Sequence, residues 1–520
     1  HFHAGIDIKG YIGLPIYSAA PGYIVRIRVD RGGFGNVVYV AHPAGYTTVY
    51  AHLNAFAPAI RDYVRREQEN RQQFEVDLRP DSTLFVLQAG DPIGKMGTTG
   101  YSFGPHLHFE VRDSESGEVL NPLLFSFAVA DSRAPRMHLL RLYGLDERHN
   151  TLGAENVDMY RSGQAYRLRR DTLYTNHART GLALKAFDHM DAAPNWNGIY
   201  QLDMLVDGQL YYRFEMPSFS FAETRYLNAH VDYQAFRARK SYFNRCFRLP
   251  GNHLRNYTHL INDGVLELQP GEVVEINMVA YDVENNQSTL SFPLKRLPSP
   301  TAQRTPYFNY ELRHDAPNVI ENYYARIELP AGTLYQDCYL QYTQQRDDSA
   351  GYFSSVHSLR PNLIPFHRPA SISIRPDLVP DHLREKAFIA RCGSNGRVVN
   401  YGGSWKEGRL DTDLWAFGDY AIMVDTVAPT IRPLQFQRNM RGWSRMRFRI
   451  SDDIRTAGKA GELRYEARID GEWVLMEYDA KNARLTHYFS EDLSSGTHLF
   501  ELQLRDAMGN ETIWRREIVR

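Results

Sequence analysis

At 520 residues, with 60 lysines and arginines against 61 aspartates and glutamates, the chain has the length of three or four domains and no global field that would draw it to nucleic acid or an anionic membrane. It has no run of the about 18 apolar residues that a membrane helix needs, and Cys246, Cys338 and Cys392 are too few for a disulfide framework. A pair between Cys338 and Cys392 and three free thiols both remain open, while 33 Tyr, 26 Phe, 37 Gly and 26 Pro suit a strand-rich protein with many turns.

The first element contains His3-Ala4-Gly5-Ile6-Asp7. On a strand His3 and Asp7 share one face, and Ile6 and Ile8 take the other. Short strands follow, among them 23–27, 36–40 and 47–50, joined by glycine and proline turns, which indicates an all-β unit. His52 stands at the end of the last, in Tyr50-Ala51-His52-Leu53. His42, in Val40-Ala41-His42-Pro43, reads as structural or surface. His1 with a free amino terminus could bind copper or nickel, but the start is abrupt and shows no basic-apolar leader, so an exported form would have lost its signal peptide.

After Leu53 comes an insertion of residues 56–82. Its stretch Ala59 to Gln73 lacks Gly and Pro, is rich in helix formers and mixed charge, and follows Pro58, which suits a helix start. The apolar stripe, Ile60, Tyr63 and Val64, is thin, so packing is expected only through the first turns. A wall or lid over a substrate groove and a solvated excursion are equal alternatives. Strand resumes at Leu84-Phe85-Val86-Leu87 and runs into Gly104-Pro105-His106-Leu107-His108-Phe109-Glu110. There Leu107, Phe109 and Val111 alternate with His106, His108 and Glu110, so a strand would set two imidazoles on one face. Alone this is only a polar strand face. Joined by His3 and Asp7, it offers two nitrogens and a carboxylate oxygen, a common ligand set for a catalytic zinc that keeps a fourth position for water.

His3-x-x-x-Asp7, Tyr50-Ala51-His52-Leu53 and Gly104-Pro105-His106-Leu107-His108-Phe109-Glu110 resemble the three signatures of the lysostaphin-type (LytM) zinc endopeptidases, which cut peptide bonds in bacterial peptidoglycan. Gly33-Phe34-Gly35-Asn36, Gly90-Asp91-Pro92-Ile93-Gly94, Gly97-Thr98-Thr99-Gly100 and Asn121-Pro122 fit as well. The resemblance covers residues 1–128 and departs in the insertion after Leu53 and at Thr98, where the family more often has Asn. It implies an N-terminal antiparallel β-sheet peptidase domain with Zn2+ on His3, Asp7 and His108. It further implies that His106 is the proton-transferring catalytic residue and that His52 orients the water or stabilises the oxyanion. The substrate would be peptidoglycan peptides, and the location the periplasm or cell envelope.

Beyond Phe125 an internal repeat appears. Asp131-Ser132-Arg133-Ala134-Pro135 is echoed by Asp425-Thr426-Val427-Ala428-Pro429, Val206-Asp207-Gly208 by Ile469-Asp470-Gly471, and Tyr281-Asp282 before Asn285-Asn286 by Arg505-Asp506 before Gly509-Asn510. Such matches resemble Ig-like or fibronectin-like sandwiches. The fold class expected is mainly β: the peptidase domain at 1–128, an Ig-like sandwich with an insertion at 129–298, a further sandwich at 299–425 after the linker Leu297-Pro298-Ser299-Pro300, and an Ig-like or fibronectin-like sandwich at 426–520. None of the three is expected to carry a compact metal signature. Asp188, His189 and Asp191 read as a polar loop at a strand end. Three functions compete: a zinc endopeptidase, a catalytically silent regulator or binder of cell-wall enzymes, and a β-sandwich surface scaffold. The sandwiches could engage cell-envelope proteins.

Overall fold

The computed structural model describes residues 2–520 apart from 126, 128, 164, 192, 194, 299–306, 348–350, 394–395 and 491–492. The copper or nickel reading at His1 and part of the proline linker at 297–300 fall outside the described residues. Strands dominate the chain, and among the described residues no helix is long and apolar enough to cross a membrane. Cys246, Cys338 and Cys392 are free thiols, so the possible pair between Cys338 and Cys392 is not formed.

The first sheet runs in the order Ser218–Phe219, Val119–Leu120, His106–Asp113, Tyr46–Ala51, Asn36–Ala41, Gly22–Val29, Val76–Leu78. Ile6–Lys9 pairs antiparallel with the first half of His106–Asp113, putting Asp7 opposite His108. One sheet face buries Ile24, Ile27, Val38, Val40, Tyr50, Leu107, Phe109 and Val111. A small sheet of Pro15–Tyr17, Pro92–Met96 and Leu53–Phe56 adds Ile16, Leu53, Ile93 and Met96 to the same core.

The insertion forms the helix Pro58–Arg71, with Pro58 in its first turn, where a missing N–H costs nothing. Its packing extends further than the thin stripe suggested. Ile60, Val64 and Gln68, spaced at four residues, are all buried, and Gln68 Nε2 donates to Phe74 O at 2.6 Å. Ile60 and Val64 belong to the core of the first sheet, so the helix is not a solvated excursion. Of the strand expected at 84–87, only Val86–Leu87 forms.

Beyond this lie further β layers, each around its own apolar core. A twelve-stranded sheet spanning 136–296 encloses Leu140, Leu184, Met204, Met278 and Phe292. A seven-stranded and a five-stranded sheet enclose Leu340, Ile372, Ile389 and Leu414. Two four-stranded sheets enclose Phe448, Phe500, Leu502 and Leu504. The last shows how alternation builds these layers: in Thr497–Arg505 the residues His498, Phe500, Leu502 and Leu504 point inward and their neighbours outward.

The layers touch. The strand Ser218–Phe219 belongs by sequence to the second unit, yet it extends the first sheet by pairing with Val119–Leu120. Phe219 there packs with Ala4 and Val119, and its ring lies 5.0 Å from that of Phe2. The C-terminal unit returns to the first: Arg31 pairs with Glu462 at 3.0 Å, and Lys481 Nζ donates to Ser102 O at 2.7 Å.

Candidate metal centre

The centre forms where the N-terminal segment lies along the His106–Asp113 strand. Gly5 makes that approach possible, because a Cβ there would stand 2.1 Å from Phe109 O. With Gly5 flush against the strand, His3 and Asp7 reach the same point as His108, although His3 precedes the strand Ile6–Lys9. Asp7 Oδ1 lies 3.1 Å from His3 Nε2 and 3.0 Å from His108 Nδ1. One ligand atom from each of His3, Asp7 and His108 falls within 4.8 Å of the others. Such nitrogen and carboxylate donors, converging at one point, suit zinc.

His108 is held from behind. Its Nε2 lies 3.0 Å from Glu110 Oε1, and Arg112 Nε donates to Glu110 Oε2 at 2.7 Å. Glu110 is fully buried, and Phe34 stacks on the His108 ring at 5.3 Å between centroids. A carboxylate behind a ligating imidazole fixes its orientation and raises its basicity. Burial opposes the charged form of His108, but the hydrogen bonds to Asp7 and Glu110 outweigh it and raise the imidazole to about 9. Burial likewise opposes charge on Asp7, yet its bonds to His108 and His3 hold the carboxyl well below the usual range.

The other two histidines flank the cluster. His106 Nδ1 lies 2.9 Å from Gly104 O, and its Nε2 lies 3.5 Å from Asp7 Oδ1. His52 Nδ1 lies 2.8 Å from Thr99 O. A carbonyl only accepts, so both rings carry the proton on Nδ1 and, when neutral, present an unprotonated Nε2. Their centroids are 4.8 Å apart. His52 has φ 61°, a left-handed backbone that a residue with a Cβ adopts at a cost of about 1–3 kcal/mol. Burial lowers its pKa to about 4.

All five expected residues therefore meet. The sequence reading did not assign Glu110, although its place two residues after His108 on one strand face was the available signal. Thr99 and Gly104 act through backbone carbonyls, which carry no residue signature. Thr99 also accepts from Asn36 N at 3.0 Å and donates to Leu53 O at 3.0 Å through Oγ1, tying its loop to the turn that holds His52. His42 bonds Pro21 O and Thr48 Oγ1 at 2.8 and 2.7 Å, a structural role.

Comparison with known proteins matches residues 1–69 to peptidase family M23 and residues 309–425 to a Zu5-like domain. The DD-carboxypeptidase/endopeptidase Mpg of Neisseria meningitidis is 35% identical over 121 residues, 23% of this chain and only 22% of that protein's length. The lipoprotein NlpD of Yersinia enterocolitica is 32% identical over 119 residues, 23% of this chain and 96% of the relative. The catalytic domain of lysostaphin from Staphylococcus simulans is 26% identical, with 24% of this chain and 78% of that one covered at a TM-score of 0.18. Its N-terminal segment carrying the histidine cluster thus places the chain in peptidase family M23, the lysostaphin-type (LytM) family, as a member with additional C-terminal β domains.

Proposed function

We propose that this protein is a zinc-dependent endopeptidase that hydrolyses peptide bonds in the stem peptides or cross-links of bacterial peptidoglycan, in the periplasm or cell envelope. The observation that carries the reading is the convergence of His3, Asp7 and His108 within 4.8 Å, flanked by two imidazoles that present Nε2. His3, Asp7 and His108 would hold the metal. When bound, zinc supplies Lewis-acid chemistry, acidifying a water and drawing charge from a carbonyl oxygen.

The chain's own residues do the rest. His106 accepts a proton at Nε2 and returns it to the leaving amine, and Asp7 at 3.5 Å stabilises the imidazolium in between. His52, neutral because burial lowers its pKa to about 4, has only a lone pair at Nε2. It accepts a hydrogen from the attacking water and so orients it; a donor to the oxyanion would need the protonated ring. His3 and Asp7 are exposed, leaving the cluster open to a long peptide. The β layers beyond residue 125 position the enzyme and offer surfaces to cell-envelope proteins.

Alanine at His3, Asp7 or His108 should abolish zinc content and turnover together. His106→Ala and His52→Ala should keep zinc while turnover on muropeptides falls by about 10²-fold or more. Metal analysis beside mass spectrometry of sacculus digests reads both. Loss of metal from His106→Ala would overturn the division of roles. A second reading, a regulator of cell-wall enzymes without turnover, follows from the likeness to NlpD, which in Salmonella typhimurium is named a murein hydrolase activator and is 32% identical over 121 residues. Zinc-loaded wild type that releases no peptide products would establish it in place of the first.

A further inference from the structure

The internal repeat brings together acidic side chains that lie far apart in the sequence. In the second unit Asp131 precedes the strand Arg136–Leu145, Asp188 follows Arg179–Phe187, and Asp282 follows Val273–Tyr281. A carboxylate oxygen from each lies within 4.8 Å of the other two. In the last unit Asp425 precedes Thr430–Gln435, Asp452 follows Arg445–Ser451, and Asp506 follows Thr497–Arg505, with the same spacing. Neither cluster has a compact signature in the sequence, because each is assembled from three strand ends.

The two frameworks match. Asn286 donates from N to Asp282 Oδ1 at 2.9 Å and from Nδ2 to Asp282 Oδ2 at 2.8 Å and Asp131 O at 3.1 Å. Asn510 makes the same bonds to Asp506 and Asp425 at 2.8, 2.8 and 3.0 Å. Ser288 bonds Pro135 O at 2.6 Å, as Thr512 bonds Pro429 O at 2.5 Å.

The second observation is a missing partner. Asp188 is 5% exposed, and among the described residues its Oδ1 is shut from solvent with no hydrogen-bond partner. An unpaired buried carboxylate oxygen is costly, and three carboxylates at one point repel. The nearby Arg133 side chain is engaged elsewhere, pairing with Asp191 at 3.4 Å. The donors are oxygen only, which selects a hard cation that tolerates irregular coordination.

We propose that the cluster of Asp131, Asp188 and Asp282 binds one calcium ion. Asp131 lies on the segment arriving from the peptidase unit, just before the strand Arg136–Leu145. The ion therefore sits at a junction and fixes how the second unit follows the first.

The test uses the full chain, freed of metal and reloaded with one equivalent of zinc, then titrated with calcium by calorimetry and followed by thermal unfolding. One calcium equivalent is expected, with Kd of about 10⁻⁴ to 10⁻³ M, and a rise in unfolding temperature with calcium. Asp188→Asn should remove it, with zinc content unchanged. Terbium luminescence on the unaltered protein, competed away by calcium, reports the site without a substitution. No calcium uptake at millimolar concentration, uptake unchanged in Asp188→Asn, or preference for magnesium would each overturn the proposal.

Discussion

Glu110 decides how well His108 can serve as a ligand, since it is fully buried and divides its two oxygens between His108 and Arg112. Glu110→Gln should weaken zinc binding or turnover by about 10- to 100-fold. Competition with a chromogenic chelator measures the first, and an unchanged affinity would reduce Glu110 to a space-filler. The same contacts set a pH dependence. With its bonds to Asp7 and Glu110 outweighing burial, the metal-free His108 titrates at about 9, so at pH 7 it carries a proton that a metal must displace. Zinc uptake at pH 7 should therefore release about one proton from this ring, and affinity should climb as pH rises toward 9. Calorimetry in buffers of different ionisation enthalpy counts the proton, and no release would mean that His108 is already neutral. At this scale the sequence was informative about side chains and silent about main chain. The histidines and Asp7 were legible as a ligand pattern, whereas the carbonyls of Thr99 and Gly104, which fix the tautomers of His52 and His106, depend on loop geometry.

Among the elements, the helix Pro58–Arg71 gave the weakest sequence signal and is anchored more firmly than that signal implied. Ile60→Ala should cost about 2–5 kcal/mol, as expected for a large-to-small change at a residue 3% exposed. Arg61→Ala, on the solvent side, should stay within about 0.5 kcal/mol. Urea unfolding monitored by circular dichroism distinguishes them, and equal costs would mean that the helix packs through another face. The strand His106–Asp113 was legible because its alternation is strict. Its burial was not: His108 and Glu110 are as enclosed as Phe109 and Val111, because Phe34, Arg112 and the N-terminal segment cover the second face. The partner of a strand face is set by long-range pairing, such as Asp7 against His108 across a hundred residues, and alternation does not name it.

Across the whole molecule, buried neutral histidines set the response to acid. His357 is shut from solvent and its pKa is lowered by burial to about 4; His487 is lowered by burial to about 4 and His230 to about 3. The unfolded chain takes these protons near pH 6.5 and the folded chain only below about 4, so the unfolded state binds more protons in that window and stability falls as pH drops through it. At about 1.4 kcal/mol for each tenfold change in proton affinity, His357 alone contributes about 3 kcal/mol. His357→Gln should flatten the loss of stability between pH 6.5 and 4, read from urea midpoints across that range; an unchanged slope would assign acid sensitivity to other groups. The mainly-β character was legible from composition and alternation, but the coupling between the layers was not. Phe219 illustrates what that coupling entails. By clamping Phe2 and Ala4 on either side of His3, a residue two hundred positions away steadies the segment that carries His3. Peptidase and neighbour are then one thermodynamic unit rather than exchangeable modules. A fragment of residues 1–128 should bind zinc worse than one of residues 1–298, and Phe219→Ala in the full chain should lose zinc with no residue of the cluster altered. Moving this N-terminal domain onto another tail would then mean carrying that aromatic along.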